Sequence, residues 1–397
     1  MNNSYHKVFI VGAGHSPVGT KSISELLPHE LCAQVLKDTL KRSGVRASQV
    51  DSVKVGSVVS RSAEPSMTHA FAKRVLMLSA EAGENVSADG DMVDRACSSA
   101  LVAAQLAARD IAVGHADITI GGGVDMMSRV SQDVIKIGLT DPTTGKLMAE
   151  LADEAARDLF TKEEQDLYAF GSYERALTNL SKPNPYLVPI CLKDGESPVL
   201  LFDERVKKRE EKIKRLNLSP EQLMKSIKRS PLYSKNCTAV SLANSSQEGD
   251  AAAFLVFASE NAIEKFNLKP IAEFVSFASV GGSVPQNFIL RPKEAILKAI
   301  SFANLHYPLF SLESIDLFEV NEAFAPSPLY VMKELGVPRE KMNMLGGVIA
   351  FCHAIGSTGA RLVINLIRAL EEADEIWGVV SACHAIDGAT AAIIKKI

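Results

Sequence analysis

Residues 94–111 read DRACSSALVAAQLAARDI, and the reading of this stretch decides the fold. From Ala100 to Val113 only Gln105, Arg109 and Asp110 interrupt small or apolar residues. A helix that is apolar on nearly every side is a buried helix. The run Ala88–Val93 before it reads as the end of a strand, so Cys97 sits between strand and helix, at the mouth of a core. At a helix N-terminus, unpaired backbone N–H groups and the positive end of the helix dipole favour a thiolate over a thiol. The alternative is an inert core cysteine, since free cysteines are commonly buried. What separates the two is the company Cys97 keeps elsewhere in the chain.

Strand and helix patterns alternate on both sides of this stretch. Val8–Val11 reads as a strand closed by a turn at Gly12-Ala13-Gly14. It is not a dinucleotide fingerprint, because the third glycine position falls on Pro17 and no acidic residue ends a second strand at the expected distance. Leu26–Ser43 has helical spacing, and Ser52–Val59 and Asp117–Gly121 read as strands. The alternation predicts an α/β layered fold. Towards the C-terminus, Ile315–Val320, Ile376–Ala382 and Thr390–Ile394 read as strands and Ser357–Leu370 as a helix. Residues 343–370, NMLGGVIAFCHAIGSTGARLVINLIRAL, echo residues 88–111 in order: strand, special residue, small residues, apolar helix. Two related halves meeting about a pseudo-twofold would bring both special loops together.

The stretch 129–237 has another character and looks inserted. It holds Pro183, Pro185 and Pro189, a helix opened by the capping box Thr161…Glu164, and a cationic tract. Between Arg205 and Arg229 ten Lys or Arg face three Glu. Such a run is either a solvated helix face or a docking surface for a polyanionic small molecule.

Composition sets the outer bounds. A chain of 397 residues exceeds one ordinary core, so two or three domains are expected. With 47% hydrophobic and 23% charged residues it has the balance of a soluble globular enzyme. A net charge of −4 gives no reason to expect nucleic acid. The six cysteines form no C-x-x-C pair, and residues 1–14 lack the features of a signal peptide. No apolar run reaches the ~18 residues that span a bilayer. A cytoplasmic location with reduced thiols is the expectation.

Four separate segments supply complementary chemistry. Cys97 offers a nucleophile. His353 stands before an apolar helix, Cys383 follows the strand Trp377–Ala382, and Asn321 follows the strand Ile315–Val320. A Cys–His pair makes an activated thiolate for acyl transfer, and a second thiol can move a proton on and off carbon. An Asn amide and an imidazole N–H can polarise a thioester carbonyl.

Together these segments resemble the thiolase family. Cys97-Ser98-Ser99, NEAF at Asn321–Phe324, the Gly346–His353 stretch and Cys383 look like its four catalytic loops. GGGVDMMSR at 121–129, TKEEQD at 161–166 and Ala243–Ser246 followed by Asp250–Ala253 are similar to further family segments. The resemblance runs in order from residue 7 to the C-terminus.

It implies duplicated α/β halves, layered α-β-α-β-α, with an inserted loop domain that grips coenzyme A. The expected division is 1–128 with 238–265, then 129–237 as the loop domain, then 266–397. The resemblance makes Cys97 the nucleophile, His353 its activating base, Cys383 the acid/base on carbon and Asn321 a water-holding amide. Met148, Ser245, Ala323 and Phe324 fall to the bound thioester and Arg229 to the coenzyme A phosphates. No cofactor is implied beyond the coenzyme A thioester as substrate, and a homodimer or homotetramer is expected.

The chain departs from the family pattern beside two catalytic groups. Gly-His-Pro is Cys352-His353-Ala354, and Cys-x-Gly is Cys383-His384-Ala385. The 128–138 stretch is shorter than is common. Leu147 stands where acetoacetyl-type members carry His, which predicts acceptance of acyl chains longer than four carbons. Two alternatives stay open: a thiolase-fold acyl-CoA-binding protein with little turnover, and a ketoacyl-synthase-type condensing enzyme.

Overall fold

The structure, a computed structural model, describes residues 6–68, 70–193 and 195–397. Residues 1–5, where the first expected domain begins, and Asp194 inside the second lie outside the described residues. The chain opens with β1 (Phe9–His15), α1 (Pro28–Ser43), β2 (Ser52–Gly56), α2 (Val59–Ala63) and α3 (Phe71–Ser79). It continues with β3 (Asp89–Val93), α4 (Ser99–Ala112) and β4 (Ile118–Met126). A helical stretch follows: α5 (Gln132–Gly138), α6 (Met148–Ala156), α7 (Lys162–Asn179), α8 (Glu204–Leu216) and α9 (Pro220–Lys228). Then come β5 (Asp250–Ala258), α10 (Glu260–Phe266), β6 (Ala272–Gly281), α11 (Arg291–Ala303), β7 (Leu317–Val320) and α12 (Pro326–Leu335). The chain closes with α13 (Val348–Phe351), α14 (Ile355–Ala373), β8 (Trp377–His384) and β9 (Gly388–Lys396).

The strands run in the order β3-β2-β4-β5-β1-β6-β9-β8-β7. On the first side β2 and β4 are parallel and β5 is antiparallel to both β4 and β1. On the second side β7 and β8 are parallel and β9 is antiparallel to both β8 and β6. The two sets mirror each other about the β1–β6 seam, which pairs only Phe9 with Glu273 and Ile10 with Ala272. Opposite β3, the second half has a single bridge, Phe318 to Met342. The halves are therefore duplicated, as the echo between 88–111 and 343–370 predicts.

Both faces of the inner strands are covered, and their alternation shows it. In β5, Ala252, Phe254 and Val256 pack with the outer helices α1 and α3, while Ala253, Leu255 and Phe257 pack with α4 and α14. In β9, Ala391 and Ile393 pack outward with α11, and Ala392 and Ile394 pack inward. A period of two with apolar residues on both faces is what a doubly covered strand requires. Helices α4 and α14 thus form the middle layer, between the two halves of the sheet.

Close approach in that layer needs residues without a Cβ. A Cβ on Gly123 of β4 would lie 2.0 Å from the Gly356 carbonyl of α14, and one on Gly56 of β2 would lie 2.9 Å from it. The strand β1 shows the same effect and corrects one expectation. Gly12-Ala13-Gly14 is no turn: the strand runs through it with a bulge. The two glycines admit α1, since their Cβ atoms would sit 2.6 Å from Ser43 and 2.2 Å from Thr39.

Candidate active site

Cys97 lies in a 3-10 turn, Ala96–Ser98, that leads into α4. The Ser98 hydroxyl donates to the Ala382 carbonyl at 2.9 Å, which ties this turn to the end of β8. Cys383 is in that strand, paired with Ala389, and is fully buried. His353 lies between α13 and α14, its backbone N–H donating to the Gln247 carbonyl at 2.7 Å. The first half of the fold thus contributes Cys97, and the second contributes His353 and Cys383.

Cys97 and His353 line one cavity of about 70 Å³. Its walls are mostly apolar: Leu139, Met148, Phe288, Phe324 and Ile355, with Tyr233 and Ala323 beside them. Tyr233, Phe324 and Phe288 form an edge-to-face chain, with ring centroids 6.4 and 6.1 Å apart. The 321–324 loop is held by backbone pairing: Asn321 N–H donates to Ser381 O at 2.9 Å and Ser246 N–H to Ala323 O at 3.0 Å. The buried Glu322 anchors it further, accepting from Ser172 at 2.7 Å, Tyr168 at 2.9 Å and Asn343 at 2.9 Å. Both polar atoms of the Asn321 side chain are buried with no protein partner, as is His353 Nε2. Buried polar atoms are rarely left so in a purely structural role, because each costs about 1–3 kcal/mol.

The hydroxyl of Thr358 determines the tautomer of His353. Thr358 Oγ1 donates its one proton to the Ala354 carbonyl at 2.9 Å. It therefore accepts from His353 Nδ1–H at 2.7 Å, which leaves Nε2 as the free lone pair. Burial holds this imidazole down to about 4, so it is a neutral base at pH 7. Thr358→Val keeps the shape and removes the acceptor. We expect kcat to fall about tenfold, the worth of one hydrogen bond, with KM little changed. Steady-state kinetics with an unchanged kcat would remove Thr358 from this role.

The thiol is not the resting thiolate expected from its helix terminus. Burial pushes Cys97 up to about 12, and the nearby Asp125 carboxylate adds to the rise. Asp125 is itself buried, accepting from Ser57 Oγ at 3.0 Å, Ser60 N–H at 2.9 Å and Gly356 N–H at 2.7 Å. Burial also raises the Cys383 thiol well above the usual thiol range, and Cys97 nearby raises it further. Cys97 and His353 thus share the small apolar cavity, while Cys383, a near neighbour of Cys97, and Asn321 lie outside its lining.

Ser245 pairs through its backbone with Phe324 and does not line the cavity, where Ser246, Gln247 and Glu248 stand instead. Leu147 is also outside the lining, as the residue before α6, while Met148, the first residue of that helix, is inside. Arg229 lies elsewhere, in a basin of about 810 Å³ with Arg205, Lys208, Arg209, Lys212 and Lys225. Leu242 and Ala243 line that basin and Ser246–Glu248 line the cavity, so one short segment runs from one to the other. Sequence reasoning missed Thr358, Tyr233 and Phe288. Thr358 carried a usable signal, lying five residues past His353 on the helix that follows it.

The family departure at Cys352 carries a cost in the backbone. Its φ of 83° and ψ of 164° lie in a region that glycine almost alone occupies, at about 1–3 kcal/mol for other residues. Alanine ordinarily outranks glycine in stability. Here we expect the reverse, with Cys352→Gly more stable than Cys352→Ala by about 1–2 kcal/mol. Urea unfolding midpoints in which Ala matches or exceeds Gly would show that the backbone relaxes.

A duplicated α/β fold carrying two thiols and an imidazole at the seam of its halves defines an acyl-transfer enzyme. The thiolase N-terminal domain matches residues 8–261 and the thiolase C-terminal domain residues 268–396. The chain belongs to the thiolase family, and it is an acyltransferase. It is 31% identical to the acetyl-CoA acetyltransferase of Syntrophomonas wolfei, covering 92% of this chain and 93% of that one. It is also 31% identical to the 3-ketoacyl-CoA thiolase of Bacillus subtilis, with the same coverage. Among solved structures, the acetyl-CoA acetyltransferase of Bacillus anthracis superposes with a TM-score of 0.87 at 29% identity over 100% of both chains. Human mitochondrial 3-ketoacyl-CoA thiolase in complex with CoA gives 0.86 at 26% identity, over 99% of this chain and 98% of that one.

Proposed function

We propose that this thiolase works in two stages through an acyl group on Cys97. His353 Nε2 takes the Cys97 proton, and the sulfur attacks the ketone carbon of a 3-ketoacyl-CoA. The carbon–carbon bond breaks, its electron pair goes to the departing acetyl-CoA, and the Cys383 thiol protonates that carbon. Coenzyme A then enters and loses its thiol proton to the Cys383 thiolate. It takes the acyl group, and Cys97 leaves as a thiolate that recovers its proton from the His353 imidazolium. In reverse, the same groups condense two acetyl-CoA molecules. Asn321 holds a water that donates to the thioester oxygen. The free Nε2 of a neutral imidazole, in one cavity with Cys97, which in turn neighbours the second thiol, carries this reading.

The 129–237 stretch is assigned to coenzyme A, its phosphates in the cationic basin around Arg229 and its pantetheine arm along 242–248. The acyl end goes to the apolar cavity. About 70 Å³, a few waters at roughly 10–15 Å³ each, fits a short acyl group. With Leu147 outside the lining and Phe288 inside, short chains replace the longer ones first expected. We further propose a cytoplasmic homo-oligomer, a dimer or tetramer, on two supports. The six cysteines are unpaired, and the outer edge of β3 has no partner strand among the described residues. No helix among them is long and apolar enough to cross a membrane.

The test is incubation with acetoacetyl-CoA followed by peptide mass mapping, with kcat/KM compared for four-, eight- and twelve-carbon 3-ketoacyl-CoAs. An acetyl mass on Cys97 and a steep fall beyond four carbons are expected. A label on Cys383, or none, would defeat the assignment and favour a binding protein with little turnover. Neither a decarboxylating reaction nor simple binding is favoured by the relatives' names.

A further inference from the structure

Behind the catalytic loop lies a second cavity, of about 220 Å³, that no step of the acyl transfer uses. Arg361, Asn365 and Arg368 line it from one face of α14, spaced four and three residues apart. Their exposures are 6, 5 and 8%, so all three are more than nine-tenths buried.

The guanidinium groups here are only partly satisfied. Arg361 makes two hydrogen bonds to Asp203, at 2.9 and 2.7 Å. Arg368 and Lys182 share one carboxylate, Glu372, at 2.7 and 3.1 Å. His15, also in the wall, is neutral: burial and Arg361 hold it down to about 3. Its Nδ1 lies 2.8 Å from the Ser16 carbonyl and its Nε2 faces the Asn184 amide at 3.2 Å. Asn365 donates to the buried Glu319 at 3.5 Å, and Nε of both Arg361 and Arg368 is buried without an acceptor. An anion in the cavity supplies the missing acceptors. The remaining wall holds Asn179, whose Oδ1 is buried without a partner, and the apolar Leu187, Phe202, Leu345 and Phe351, with Arg361 stacked 4.0 Å from the Phe351 ring centroid.

We infer that this cavity binds a small organic monoanion, a carboxylate bearing a short apolar tail. Its carboxylate lies against Arg368 and Lys182 and its tail against Phe202 and Phe351. The volume exceeds the ~150 Å³ that holds a benzene ring, so a tail of about three to five carbons fits. The inference does not rest on the acyl-transfer reading, because the two cavities share no lining residue.

Calorimetric titration of the full chain with butyrate, hexanoate and inorganic phosphate, at constant ionic strength, tests it. Saturable one-to-one binding is expected, hexanoate tightest and phosphate weakest. Arg368→Gln and Lys182→Gln should each raise Kd about tenfold, the size of one charge-assisted hydrogen bond. Lys182 stands at the rim with its side chain 47% exposed, so its variant keeps the test alive if Arg368→Gln fails to fold. Absence of saturable hexanoate binding by about 10 mM would overturn the inference, as would an unchanged Kd in Lys182→Gln. Equal affinity for phosphate and hexanoate would overturn it too, since the apolar wall would then contribute nothing.

Discussion

Replacing His353 by asparagine is expected to slow acylation of Cys97 about a thousandfold at pH 7, within the range of a positioned general base. The thiol stands at about 12, so unaided ionisation leaves only about one thiolate in 10⁵ at that pH. In the proposed mechanism the neutral imidazole takes the proton as the sulfur attacks, and the native rate should be flat above about pH 5. Below that pH His353 protonates and activity falls. In the Asn variant nothing takes the proton, so the rate should climb about tenfold per pH unit, following the thiolate fraction. Single-turnover acylation between pH 6 and 10 distinguishes these shapes. A loss that is constant across pH would mean that His353 is not the proton acceptor.

The second large effect separates the two cysteines. Cys383→Ser should still form the acyl group on Cys97 from acetyl-CoA, within about tenfold of the native rate, because transfer from a simple thioester expels a thiolate and needs no proton on carbon. Exchange of acetyl-CoA methyl protons with deuterated water should fall by about 10⁴ or more. A buried serine hydroxyl is a far weaker acid and base than a thiol, and proton transfer efficiency follows that difference. Deuterium uptake measured by mass spectrometry reads exchange directly. Undiminished uptake would place the carbon acid/base on another residue.

The element order was legible where one physical cause produced the pattern. The buried helix after Cys97 betrays itself by having almost no polar face and α14 after His353 by its long apolar runs, and both occupy the middle layer. NEAF located Asn321 through family resemblance, while composition alone would have left it a turn residue. Gly12 and Gly14 misled because glycine marks both turns and close approach, and only α1 in place distinguishes them. The acidity of Cys97 misled for a related reason. A helix terminus is local and visible in sequence, whereas the burial that outweighs it comes from segments far along the chain. Ser245 was one residue from the wall, which begins at Ser246, because its backbone is taken up in pairing with Phe324.

The crossing of Gly56, Gly123 and Gly356 has a consequence for how this enzyme tolerates sequence drift. Asp125 receives the Gly356 N–H at 2.7 Å, and α14 begins there, two residues after His353 turns in from α13. A methyl group at Gly123 would meet a carbonyl at 2.0 Å, far inside contact distance, and α14 would have to retreat. Misplacement of a catalytic group by about 1 Å costs roughly a hundredfold in rate. The most fragile positions therefore include three residues that carry no chemistry and touch no substrate. A lineage can lose this activity by a single alanine in the wall while every reactive group remains intact.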